Sequence, residues 1–366
     1  MKSIFPPTLS WYFARQYGLN FLMLLCGLLA IIYIFDMIEL LRRVSDKDNI
    51  SLSLVLKMGI YKLPEVGQLI FPFAILFSAM WTFWQLTRKH ELVIVRAAGL
   101  SVWQFILPIV LTGFVIGLLS VMAINPLGAI FVSKFERLEA QYISKKSSAI
   151  SLSEQGLWLR QDYENGQAIL HADKIIMPYW TLSDVTVFFF SDNNDFIKRI
   201  DSSRVFLDDK NWNFKYAVSN TPGQLPQTAD DVKIPTELTI ADLEGSFSSP
   251  ETISFWRLPE YIKIMEDTGF DSTPLKIHFQ NLLAQPLLFI AMILLAASVS
   301  LRPQRLRGTS ILVFSGILIG FLVFFTSSFL QALGGSAQIP IFIASWFPAI
   351  ISLLLGVGAM MVLEDG

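Results

Sequence analysis

Five stretches of the sequence contain no Asp, Glu, Lys or Arg: Gln16–Phe35, Val66–Thr87, Ala97–Ser133, Ile277–Leu301 and Gly308–Leu363. A charge at the centre of a bilayer costs about 2.5–3.5 kcal/mol on insertion scales, so runs of this kind read as membrane spans. One span needs roughly 20 residues. The first four windows hold one helix each, and the last is long enough for two, broken at Gly334, Gly335 and Pro340. Six transmembrane helices are predicted, three on either side of a polar insert.

The insert carries most of the charge. Of the 58 charged residues, 36 lie between Lys134 and Asp271, so the near-neutral total of −2 hides a division of the chain. The expected parts are helices 1–3 over 1–133, an inserted domain over 134–275 and helices 4–6 over 276–366. The single cysteine, Cys26, falls in the first span, so the insert folds without disulfides. The apolar start is long enough to span, and no small-residue cleavage pattern follows before Asp36, which argues against a cleaved signal peptide.

Basic residues in the short connections set the expected orientation. Lys2 and Arg15 precede helix 1, Arg88, Lys89 and Arg96 lie between helices 2 and 3, and Arg302, Arg305 and Arg307 lie between helices 4 and 5. All fall on one side if both termini are cytoplasmic, which places the insert outside. Arg42, Arg43, Lys47 and Lys57, between helices 1 and 2, dissent.

The insert reads as β-structure. Trp212, Phe214 and Tyr216 alternate with Asn213 and Lys215, the period-2 pattern of a strand with one buried face. Asn165-Gly166 is a strong hairpin signal, and further turns are expected at Ser191–Asp195 and Asp208–Asn211. Short strands at this spacing suggest a sandwich, jelly roll or barrel. Leu258, Ile262 and Met265 recur at helical spacing before Gly269, so a short helix is expected to lead back to the membrane.

Catalytic signatures are sparse. The sequence has no G-x-x-x-x-G-K-[ST] loop, and His90, His171 and His278 lie far apart, which argues against an ATPase, a metal site or a Cys/His nucleophile on this chain. The segment Arg88-Lys89-His90-Glu91-Leu92-Val93-Ile94-Val95-Arg96-Ala97-Ala98-Gly99 says more. An acid in the first turn, an apolar middle and a Gly stop predict a short cytoplasmic helix over 89–98. Ser101 with Gln104 then forms a capping box that opens helix 3. The helix reads either as an interfacial segment resting Leu92, Val93 and Val95 on lipid or as a coupling helix that docks on a soluble partner through Glu91. Gly113 with Gly117 and Gly316 with Gly320 are G-x-x-x-G pairs that allow close helix approach. Asp36 and Glu39 read as local ion pairs with nearby basic residues rather than a proton relay.

Glu91-Leu92-Val93-Ile94-Val95-Arg96-Ala97-Ala98-Gly99 resembles the coupling segment of the lipopolysaccharide-export permeases, the LptF/LptG family. Gln155-Gly156-Leu157-Trp158, Phe71-Pro72, Gln285-Pro286 and Ile339-Pro340 are similar to that family at corresponding places. The first of these and the coupling segment lean towards its LptG side. The resemblance implies an α-helical membrane protein with six transmembrane helices, three plus three, around a periplasmic all-β jelly-roll-like domain. It also implies a non-catalytic subunit of an ABC transporter in the Gram-negative inner membrane. There it pairs with a second permease, LptF, on a dimer of the ATPase LptB, with LptC alongside. ATP and Mg would be bound by the ATPase, this chain would hold no cofactor, and no nucleic acid is involved. Lipopolysaccharide is the implied substrate, handed to a periplasmic bridge.

Carried over residue by residue, the likeness makes Glu91 the acidic coupling residue, flanked by Arg88, Leu92, Val95 and Arg96. Helices 1 and 5 would line the gates between the permeases, with Gly316 and Gly320 at the subunit interface. Arg42, Arg43 and Lys62, extended by Lys134 and Arg137, would meet lipid A phosphates at the outer mouth. Tyr33 and Glu65 stand where the family often carries a basic residue. The rival readings are a permease for another amphiphile, an ion-driven secondary transporter, and a membrane-anchored scaffold.

Overall fold

Backbone amides inside hydrocarbon must be hydrogen-bonded within their own segment, so apolar runs of this length fold as helices. The computed structural model describes residues 7–44, 51–97, 99, 101–144, 149–153, 156–163, 166–176, 181–191, 195–208, 211–236, 249–267, 270–301 and 309–365. The helices are α1 (Pro7–Val44), α2 (Leu52–Arg88), α3 (Glu91–Ala97), α4 (Val102–Leu119) and α5 (Asn125–Leu138), then α6 (Leu258–Asp267), α7 (Thr273–Ser300), α8 (Thr309–Gly335) and α9 (Ile341–Asp365). Five-residue and six-residue π segments, Ser120–Ile124 and Glu139–Ser144, join or extend α4 and α5, making the third span continuous over Val102–Ile143. Among the described residues, six helices are long and apolar enough to cross a membrane, as the charge-free windows predict. The Ser101–Gln104 capping box is formed in both directions, at 3.3 and 3.0 Å.

The chain divides into two units, one comprising 1–136, 250–256 and 273–366 and the other 137–249 and 257–272. The inserted domain is therefore not one uninterrupted segment over 134–275. Residues 250–256 belong with the helices because the Phe255 amide donates to Asn125 Oδ1 at 2.8 Å and the Trp256 indole donates to the Met122 carbonyl at 3.2 Å.

In the helical unit α7 is the hub, packed by α2, α4 and α9, and 67% of its apolar window is buried. In α1 and α8 the figure is 11% each. Lipid tails are as apolar as Leu, so such helices associate through close packing and polar contacts rather than hydrophobic drive. Both are present. Buried Ala291, Ala296 and Ala297 bring neighbouring backbones near α7, and rings meet edge to face, as at Phe83–Phe105 (6.1 Å) and Phe71–Phe289 (6.4 Å). Asn20 Nδ2 donates to Thr82 Oγ1 at 2.9 Å, and Gln16 Nε2 donates to Gln85 Oε1 at 3.0 Å, tying α1 to α2.

The glycine pairs face inward. A Cβ built on Gly117 would lie 2.7 Å from the Pro286 Cα of α7, and Gly113 faces Ile293 of the same helix. Gly316 and Gly320, which the family likeness put at a subunit interface, lie against α2 of their own chain. A Cβ on Gly316 would meet Met80 Sδ at 2.6 Å, and one on Gly320 would meet Phe73 at 3.0 Å, so this face of α8 packs on α2 of its own chain.

The second unit is an antiparallel sheet of seven described strands in sequence order: β1 (Ala149–Ser153), β2 (Gly156–Tyr163), β3 (Gly166–Ile176), β4 (Thr181–Ser191), β5 (Phe196–Asp208), β6 (Asn211–Asn220) and β7 (Gln227–Pro235). The expected hairpins are present: Tyr163 pairs with Gly166, and Asp208 with Asn211. Asn165 and Gly269, which carry two of the expected stops, lie outside the described residues. The sheet curls on its apolar face, because Gln161 of β2 meets strands four and five places away. Its Oε1 accepts from Trp212 Nε1 (3.3 Å) and Thr236 Oγ1 (2.9 Å), and its Nε2 donates to the Pro235 carbonyl (3.4 Å). Trp212 and Phe214 are buried as predicted, whereas Tyr216 is 71% exposed. Its left-handed φ of 55° turns that ring out and passes the inward position to Ala217.

Candidate functional site

The short helix after α2 is positioned by a break in backbone direction. The Lys89 amide still donates to the Gln85 carbonyl at 3.0 Å, and His90 then takes a left-handed φ of 59° before α3 begins. Such a φ is uncommon outside glycine, and here it sets the phase of the helix that follows. Leu92 and Val95 turn inward and join the bundle core with Phe13, Leu86 and Val102. Val93 and Ile94 turn outward, at 61% and 67% exposure.

This corrects the sequence reading of the apolar residues. Leu92 and Val95, expected at a docking contact, are instead the anchors that fix α3 to the bundle. Val93 and Ile94 form the outward apolar knuckle. Glu91 opens the helix and accepts a hydrogen bond from the Tyr12 hydroxyl of α1 at 3.2 Å. Arg88 stacks its guanidinium 5.1 Å from the Trp84 ring centre. Arg96 lies on α3, with its side chain outside the described residues.

The basic residues expected at the outer mouth fall into two groups. Arg42 and Arg43 both engage Glu39 one turn earlier, at 2.8 and 2.9 Å, and remain exposed. Lys62 of α2 pairs with Asp36 of α1 at 3.2 Å, both half-buried. Lys134 of α5 lies 5.8 Å from the Tyr61 ring, next in sequence to Lys62. One end of the helical unit thus gathers Arg42, Arg43, Lys62 and Lys134. Arg137 is exposed in the last turn of α5, and Lys47 lies outside the described residues. Arg302, Arg305 and Arg307 lie outside them as well.

Tyr12, Val93 and Ile94 were not singled out as site residues by the sequence. A tyrosine 79 positions from its acid carries no periodic signal, and which half of an apolar run faces out depends on the His90 backbone. Among the described residues no group of three or more His, Cys, Asp or Glu side chains is arranged to hold a metal ion.

A family model described as lipopolysaccharide export system permease LptF/LptG matches residues 11–362. The lipopolysaccharide export system permease protein LptG of Escherichia coli K12 is 23% identical over 314 residues, covering 83% of this chain and 85% of that protein. The LptG protein of Haemophilus influenzae is 22% identical over 344 residues, covering 91% of this chain and 92% of its own length.

Proposed function

The chain belongs to the LptF/LptG family of lipopolysaccharide export system permeases, and from that membership we propose that it is the membrane-spanning, non-catalytic subunit through which a separate ATPase drives lipopolysaccharide out of the inner membrane. The observation that carries this reading is the construction of α3. A seven-residue helix anchored by buried Leu92 and Val95, presenting Val93, Ile94 and Glu91, is a rigid knob suited to a groove on a soluble partner. ATP binding and hydrolysis by a dimeric LptB-type ATPase would move that knob, and the bundle would move with it.

The rest of the assignment follows from the same membership. Both termini are cytoplasmic and the β-domain periplasmic. The weakly covered helices α1 and α8 face a second permease of the family, with LptC beside them. Arg42, Arg43, Lys62, Lys134 and Arg137 receive lipid A phosphates. The curled β-sheet shelters acyl chains on an inner face built from residues such as Trp212 and Phe214, and an edge strand pairs with the periplasmic bridge by strand addition. Asp36 and Glu39 are each engaged by basic side chains, so neither is a free acid for an ion-driven transporter.

The test is co-purification and export with altered knobs. Ile94→Asp and Glu91→Ala each reduce recovery of the ATPase with the tagged chain and abolish lipopolysaccharide release from proteoliposomes. Full ATPase recovery and normal release with both variants overturn the coupling assignment.

A further inference from the structure

The helical unit contains a cavity of about 380 Å³ between α2, α7, α8 and α9, closed at one end by the turn 250–252. Apart from Gly320, none of its lining residues is given a functional role above. That volume is at the lower end of small-molecule sites, roughly 300–1,000 Å³. Its walls change character in register. Along α2 they run from Glu65 and Gln68 to Pro72 and Phe73, and along α7 from His278 and Asn281 to Leu288 and Met292. Along the antiparallel α8 they run from Gln331 back to Val323 and Gly320. All three helices therefore place polar groups at one end and apolar groups at the other, over about 12–20 Å at 1.5 Å per residue. The polar end lies at the boundary of the charge-free windows, as Glu65 directly precedes Val66 and His278 follows Ile277.

The polar end is acidic and unsatisfied. Glu65 and Glu251 make no hydrogen bond or ion pair with any described residue, and the charge of Glu251 is felt at both Glu65 and His278. His278 Nε2 is buried without a hydrogen-bond partner among the described residues. No lysine or arginine lines the cavity; the nearby Lys62, whose charge also acts on Glu65, is paired with Asp36. Two partly buried carboxylates side by side favour a cation, and a buried imidazole nitrogen calls for a hydrogen-bond partner. A primary ammonium offers three N–H donors, one for each carboxylate and one for the imidazole nitrogen. The α8 wall is open at Phe324 and Ser328, both exposed.

We propose that this cavity binds a bilayer phospholipid with a primary-amine headgroup, its ammonium between Glu65, Glu251 and His278 and the start of one acyl chain along Phe73, Met292 and Phe324. The phosphate is served by the neutral amides of Asn281 and Gln331, which can donate without a competing charge. What this site recognises is the ammonium rather than a phosphate, and the assignment does not rest on the export reading.

The full chain, with whatever co-purifies, is placed in nanodiscs of phosphatidylethanolamine and phosphatidylcholine in equal amounts, and retained lipid is read by native mass spectrometry. Phosphatidylethanolamine is retained about tenfold over phosphatidylcholine, the preference of one well-placed charged hydrogen-bond set. N-methylation of the headgroup lowers retention stepwise as N–H donors are lost. Glu65→Gln with Glu251→Gln brings the two lipids to parity. Ser328→Trp, on an exposed face of α8 where folding is not at stake, blocks the opening and lowers occupancy. Equal retention of both lipids by the unaltered chain overturns the proposal, as does an unchanged preference in both variants. Retention of an added amine-bearing glycolipid in place of the phospholipid overturns the assignment to a bilayer phospholipid.

Discussion

Glu91 is held by Tyr12 from α1 while it stands at the head of α3, so one hydroxyl joins one of the two most weakly covered spans to the proposed coupling knob. A hydrogen bond to a charged acceptor on a partly exposed site contributes about 1 kcal/mol. Tyr12→Phe is expected to leave ATPase recovery intact, because Val93 and Ile94 still face outward, and to slow lipopolysaccharide release about fivefold. Release at the normal rate would mean that α1 follows α3 through packing alone. Lys62 can be treated in the same way, because it pairs with Asp36 and is also a proposed phosphate ligand. Lys62→Gln leaves a half-buried carboxylate unpaired and is expected to cost about 1–2 kcal/mol, between exposed and fully buried pairs. Adding Asp36→Asn restores thermal stability and leaves export defective if Lys62 also serves substrate. Recovery of both together would make Lys62 a structural tie and nothing more. The Glu39 pairs with Arg42 and Arg43 are legible in sequence because they fall at i+3 and i+4 on one helix. The Asp36–Lys62 pair is not, since 26 residues and a reversal of chain direction separate its members.

At the scale of elements, the two glycine pairs separate backbone contact from side-chain contact. Gly117 packs against the Pro286 backbone, which cannot withdraw, whereas Gly316 packs against the flexible end of Met80. Gly117→Ala is expected to pry α4 from α7 and cost about 2–3 kcal/mol, at the upper end for overpacking, while Gly316→Ala costs about 1 kcal/mol or less as Met80 swings aside. Thermal midpoints of the purified full chain check the order, and equal losses would mean that α8 is as rigidly seated as α7. The spans themselves were legible because charge-free length is a one-dimensional property. The β-hairpins were legible because turn residues separate runs of strand-forming residues. What sequence did not reveal depends on single backbone angles: His90 rotates α3 so that Leu92 and Val95 face in, and Tyr216 turns the β6 alternation out of phase. It also did not reveal the return of 250–256 to the helices, because that rests on Asn125 and Met122 meeting residues about 130 positions away.

For the whole molecule, the uneven covering of the helices argues for a partner along one wall. Span α7 is two-thirds covered, whereas α1 and α8 each bury only 11% of their windows, and both pack on α2. Each presents an apolar wall, with Ile31, Ile34 and Phe35 on α1 and a stacked ladder of Phe321, Phe325 and Phe329 on α8, ring centres 6.0 and 6.3 Å apart. Lipid alone would cover such a wall, and so would a second six-span chain. Cysteine substitution separates the two. In a Cys26→Ser background, which removes the exposed native thiol, Ile34→Cys and Phe325→Cys are paired with single cysteines on the first and fifth spans of the co-expressed second permease. Disulfide-linked heterodimers are expected at both positions, and their yield is expected to change when a non-hydrolysable ATP analogue closes the ATPase, because the gates move with α3 through Tyr12 and the core around Leu92. If both thiols instead react only with lipid-phase reagents and never cross-link, the wall faces the bilayer, and the cargo path must be sought behind it.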